Sequence, residues 1–201
     1  KTLEEPPPHA VLILIASALE PILPTIVSRS QAITLRPVAA QLIQSVLVER
    51  FDVPPDQADL LARFSGGRIG WAISAAQNPE MLDQRSQALD LLESTVRMNR
   101  AGRFDLAGSL SRDKSALMPL LELWVTYWRD LLLHVEGSPV RLCNIDRVAG
   151  IEQLAYDVTP ETALKALKST QEMLNQLGYN INLRLALETM FLEYPGLLHQ
   201  A

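Results

Sequence analysis

The sequence predicts a mainly α-helical chain with two short β segments near its N-terminal end. Three observations carry this prediction. From Pro37 onward apolar residues recur at helical spacing in segments cut by Pro and Gly. From Pro79 those segments lengthen enough to make a bundle of five or six helices joined by short loops. Only Ala10–Leu19 and the residues around Ala32–Leu35 read as strands. With 201 residues, 48% of them apolar, the chain can bury a real core as one large domain or two small ones. No repeat of the length of a solenoid unit is present.

Taken in order, KTLEE reads as a helix end that Pro6, Pro7 and Pro8 stop, because proline lacks the amide donor and clashes with the preceding turn. The chain enters at Lys1 within that helix end, so a longer protein whose N-terminal part is missing is expected. No basic leader with an apolar run and cleavage site is found, so a signal peptide is not expected. The apolar stretch AVLILIASAL is shorter than the ~20 residues a bilayer requires and suits a buried strand, so a soluble, cytoplasmic chain is expected. After Pro21 and Pro24 a short helical turn in TIVSRSQ leads into the second β segment.

Pro37 suits the first turn of a helix in which Leu42, Val46 and Leu47 recur. Pro54 and Pro55 open PPDQADLLARF, which stops at Gly66–Gly67, and GRIGWAISAAQ runs on to Asn78–Pro79. These three short helices over 37–78 form a unit of about 40 residues, small for independent stability and expected to pack on a neighbour. The longer segments follow over 79–201: PEMLDQRSQALDLLESTVRMNR, FDLAGSLSR, KSALMPLLELWVTYWRDLLLHVEG, NIDRVAGIEQLAYD, TPETALKALKSTQEMLNQLG and INLRLALETMFLEYP. Thr159–Pro160 is a helix start, with a threonine cap and a proline in the first turn. Gly178 and Pro195 are stops. The helix around Leu117–Val135 is apolar over most of its circumference, which places it either centrally in the bundle or between the bundle and another subunit. Trp124, Trp128, Leu131 and Leu132 are its candidate interface residues.

The charge balance is 18 basic against 23 acidic residues, a net charge of −5, so the global positive field of a stand-alone nucleic-acid binder is missing. Arg97, Arg100 and Arg103 form a local basic cluster, read as complementing a helix dipole rather than contacting DNA. One cysteine, Cys143, with three histidines makes neither an internal disulfide nor a zinc set, and no metal site is expected. The patterns HExxH, GxSxG, the EF-hand loop and the P-loop are not found. Gly66–Gly70 joins two helices and reads as a stop and start rather than a phosphate loop. His134 reads as a partly buried packing residue, and Ser28 and Ser30 as caps or turn residues.

Arg29 stands apart. It lies on a small turn after a strand and a proline-rich connection, where a side chain projects from a domain edge. Its permanent charge and forked donors suit phosphate oxygens on a neighbouring subunit; a surface ion pair is the plainer reading.

These residues resemble a known family. KTLEEPPP with the apolar segment and LPTIVSRSQ resembles the AAA+ clamp-loader subunits of bacterial DNA polymerase III, whose Ser-Arg-Cys motif is here Ser28–Arg29–Ser30, with the third position changed. WRDLLL (Trp128–Leu133), LCNID (Leu142–Asp146) and NINLRLALETMFLEYP (Asn180–Pro195) resemble the collar of the delta-prime type. The resemblance implies that 1–36 is the tail of an AAA+ nucleotide-binding α/β domain, 37–78 a three-helix lid and 79–201 a helical collar that oligomerises in a five-subunit ring. It implies that Arg29 is an arginine finger acting in trans on ATP-Mg held by an adjacent subunit, this stretch binding no cofactor of its own. Ser17 falls near the sensor-1 position. GRIGWAI places Gly70 where ATP-hydrolysing relatives carry a sensor-2 arginine, and Arg68 lies about 200° away around a helix and does not substitute. The implied partners are the gamma/tau and delta subunits and, through the complex, the sliding clamp and primed DNA, with no membrane. The alternatives are an ATP-hydrolysing gamma/tau-like subunit of the same loader, or an unrelated helical adaptor.

Overall fold

The computed structural model describes residues 7, 9–16, 19 and 22–196. The chain divides into two units, Lys1–Arg36 and Pro37–Ala201. The expected helix end at KTLEE and the residue Ser17 lie outside the described residues.

In the first unit the described residues form one helical turn, α1 (Pro24–Val27), and otherwise run without regular structure. The two expected β segments are not strands there. Val11, Ile13 and Ile15 are 87%, 82% and 96% exposed, and Leu35 is 90% exposed. A strand is defined by a neighbour that takes up its amides and carbonyls, and the described residues supply none for these segments.

The second unit begins with α2 (Ala40–Phe51), α3 (Pro55–Phe64) and α4 (Ile69–Gln77), which close on Ile43, Leu47, Ala58, Leu61, Ala72 and Ala75. Pro37 lies ahead of α2 instead of in its first turn. It packs on Gly67, while the Val38 amide donates to the Gly67 carbonyl at 2.9 Å. Gly67 has φ +88°, and a Cβ there would lie 2.6 Å from the Pro37 Cβ, so the backbone angle and the close approach both require glycine.

The remaining helices are α5 (Glu80–Arg97), α6 (Arg100–Leu110), α7 (Lys114–Val135), α8 (Val148–Ala155, preceded by a 3-10 turn at Ile145–Arg147), α9 (Pro160–Gln176) and α10 (Leu183–Leu192). Side chains cap several of their first turns. Asn99 accepts from the Gly102 amide at 2.9 Å, Asp113 from the Ser115 amide at 3.0 Å, Thr159 from the Thr162 amide at 3.3 Å and Asn182 from the Leu185 amide at 3.2 Å. Helix α7 packs against α5, α8 and α9, and α10 packs against α6 and α9.

This arrangement corrects the interface assignment. Trp124, Trp128 and Leu131 are fully buried in this chain's own core, and the half-buried Leu132 packs against that core. Ala163 and Ala166 of α9 are small enough to let α7 approach, and α10 brings Phe191 with Tyr194 just beyond it. Trp128 meets Tyr194 edge-on at 4.8 Å between ring centroids, and the Trp124 indole N–H donates to the Ala88 carbonyl at 2.8 Å. Of the two readings left open for this helix, the bundle interior is the one the structure shows. Among the described residues no helix is long and apolar enough to cross a membrane.

Candidate functional site

Arg29 sits immediately after α1. Pro24 occupies the first helical position, where its missing amide hydrogen costs nothing, and Leu23 precedes it in an extended conformation. None of the four residues of α1 is buried, and Ser28, Arg29 and Ser30 are all exposed. The turn is closed by hydrogen bonds. The Ser28 amide donates to Pro24 O at 2.9 Å and the Arg29 amide to Ile26 O at 3.2 Å. Three side chains then fold back on the same turn. Ser28 Oγ and Arg29 Nη1 donate to Thr25 O at 3.2 and 3.0 Å, and Ser30 Oγ donates to Ile26 O at 2.9 Å. The two serines are thus turn residues, as expected. The guanidinium is an exposed cation anchored within four residues of its own backbone.

Gly70 is the second residue of α4, and a Cβ built on it meets nothing within 4 Å. Crowding therefore does not explain the glycine. Arg68 is committed elsewhere: its Nε donates to Ser65 O at 3.1 Å and its Nη1 to Glu122 on α7. The loop between α3 and α4 is no phosphate cradle. The Gly66, Gly67 and Arg68 amides donate to Arg63 O, Ser65 Oγ and Ser65 O, so the loop is a helix stop and start.

Sequence reasoning missed the buried arginines. Arg103, read as a helix-end cation, is fully buried. Its Nε donates to Thr95 O and Met98 O at 3.1 and 3.3 Å, its Nη1 to Phe191 O and Tyr194 O at 2.8 and 3.0 Å, and its Nη2 to Val96 O at 2.9 Å and to Pro195 O. One guanidinium thereby caps the carbonyl ends of α5 and α10, and burial pulls its pKa down. Arg85 on α5 grips Asp146 through two nitrogens at 2.7 and 3.1 Å and Asn144 Oδ1 at 2.7 Å, with Phe64 of α3 stacked 3.9 Å from its charged carbon. Asp130, fully buried on α7, accepts from the Cys143 and Asn144 amides at 2.8 and 2.7 Å. WRDLLL and LCNID are therefore two halves of one buried polar joint. Burial, together with the Asp130 carboxylate, pushes the Cys143 thiol up, the wrong direction for a nucleophile. His134 is exposed in the last turn of α7 instead of partly buried.

Comparison with known proteins gives two family matches. Residues 79–194, more than half of the chain, match the family described as DNA polymerase III, delta subunit, C terminal. Residues 1–39 match the family described as DNA polymerase III, delta subunit. Over 195 residues the chain is 25% identical to the DNA polymerase III subunit delta' of Bacillus subtilis, covering 96% of this chain and 59% of that protein. The chain thus spans somewhat more than half the length of this curated relative.

Proposed function

Because the chain belongs to the DNA polymerase III delta-subunit family, we propose that it serves as a delta-prime-type subunit of the clamp loader and lends Arg29 to ATP bound on an adjacent gamma/tau-type subunit. The observation that carries this reading is the exposed guanidinium held on a single helical turn at Pro24–Ser30. A guanidinium presents planar, permanently charged donors that match the oxygens of a transferring phosphoryl group. Supplied in trans, such a group stabilises the charge of the transition state and accelerates hydrolysis by ~10³–10⁵. Gly70 supports a subunit that does not itself hydrolyse ATP, since a residue without a side chain cannot reach a phosphate there. The helical region from Glu80 onward would join this chain to its neighbours, delta among them, and the assembled complex would act on the sliding clamp and primed DNA in the cytoplasm.

The test is DNA-stimulated ATP hydrolysis in a loader reconstituted with the complete subunit carrying Arg29→Ala. Assembly and helicity should stay unchanged while turnover at the facing ATP site falls by about 10³ or more. Unchanged hydrolysis would reject the finger role.

A further inference from the structure

The bonding of the α1 turn carries an inference about how Arg29 is presented, and it rests on the finger reading above. A helix of four residues has too few internal bonds to persist on its own account, and here no buried side chain holds it. Its last carbonyls depend on the three residues after Val27. Arg29 Nη1 and Ser28 Oγ share Thr25 O at 3.0 and 3.2 Å. Ile26 O takes the Arg29 amide at 3.2 Å and Ser30 Oγ at 2.9 Å.

We propose that Ser28 and Ser30 are positioning residues for Arg29: they hold the end of the turn so that the guanidinium can leave Thr25 O for a phosphate without the turn unwinding. Hydroxyls three and four residues on are well placed for this, because serine readily donates back to the preceding turn. When Nη1 departs, Ser28 Oγ remains on the same oxygen. Ser30 meanwhile keeps Ile26 O bonded beside the Arg29 amide, which fixes the direction in which the arginine backbone points. Without the two hydroxyls the guanidinium would itself be the main side-chain support of the turn, and engaging a phosphate would compete with keeping its own platform.

The experiment measures ATP turnover and subunit affinity in the reconstituted loader for Ser28→Ala, Ser28→Thr, Arg29→Ala and the double variant Ser28→Ala with Arg29→Ala. Ser28→Ala is expected to lower turnover about threefold, the scale of one modest hydrogen bond, without changing the concentration at which the subunit assembles. Ser28→Thr, which keeps the hydroxyl, should restore turnover. In the Arg29→Ala background the Ser28 substitution should have no further effect, since it acts through the arginine. If Arg29→Ala lowers turnover and Ser28→Ala does not, or if the two effects simply add, the positioning role is overturned while the finger stands. If Arg29→Ala itself leaves turnover unchanged, both fall.

Discussion

Two kinds of arginine stand in contrast here. Arg103 and Arg85 are interior groups whose donors are taken up by their own chain: Arg103 by carbonyls at the ends of two helices, Arg85 by Asp146, Asn144 and the face of Phe64. Arg29 is exposed and bonded to a carbonyl four residues behind it. A guanidinium's surroundings, and not its position near a helix end, therefore decide whether it is built into the fold or stays at the surface. Six carbonyl acceptors around one buried fork leave nothing to offer a ligand, whereas the Arg29 guanidinium lies at the surface on a one-turn platform.

The largest effect is expected where the contrast is sharpest. Arg103→Met keeps an unbranched apolar stem and removes every donor, leaving buried helix-end carbonyls without partners. Chemical denaturation should show a loss of about 4 kcal/mol, and a loss below 1 kcal/mol would mean that the cage is not structural. Arg29→Ala, by contrast, should leave the same denaturation curve within about 0.5 kcal/mol, as for an ordinary surface position.

A smaller effect concerns Asp130 in the joint beside Arg85. Burial raises its carboxyl above the ordinary range, while the Asn144 and Cys143 amides and the Arg129 guanidinium pull it down by less. A carboxyl raised in the folded chain favours its protonated form. Its contribution is therefore full below the unfolded value near about 4 and is lost as pH rises through the folded value. Asp130→Asn removes this titration, so the stability of the variant relative to the parent should climb from acid toward neutral pH, whatever its constant offset. Denaturation measured across that range checks it, and a flat difference would refute it.

The effect expected at Gly70 is also small. Because a side chain there meets nothing, Gly70→Arg should behave as a surface arginine and raise the melting stability by no more than about 1 kcal/mol through helix propensity. A marked loss on heating would show that the position is closed after all.

Much of the helical half was legible because its signals are local. Thr159 with Pro160, and the glycines after Phe64, act within one turn, and the helices begin and end where they direct. The β segments were not legible as such, because alternation and branched residues describe a surface that fits a sheet without supplying the sheet. The broad apolar face of α7 likewise measured how much had to be covered and not what covered it; α5, α8 and α9 do so, with Phe191 and Tyr194 closing on its two tryptophans. Arg103 shares its side of α6 with Leu106, Ala107 and Leu110, at spacings of three, four and seven, and that placement on an apolar stripe was the available sign of burial. The Arg29 turn was legible from Pro24 and the polar residues after it. Its docking on Thr25 was not, because side-chain rotamers leave no trace in residue order.

The distribution of indole rings has an optical consequence. Trp124 and Trp128 lie in the large helical core, and the half-buried Trp71 packs against the smaller one formed by α2 to α4. Fluorescence from this chain therefore comes from two separate interiors, with the deeply shielded pair emitting toward the blue and the third fluorophore, nearer to solvent, toward the red. Quenching by a water-borne agent such as iodide would report first on the smaller core.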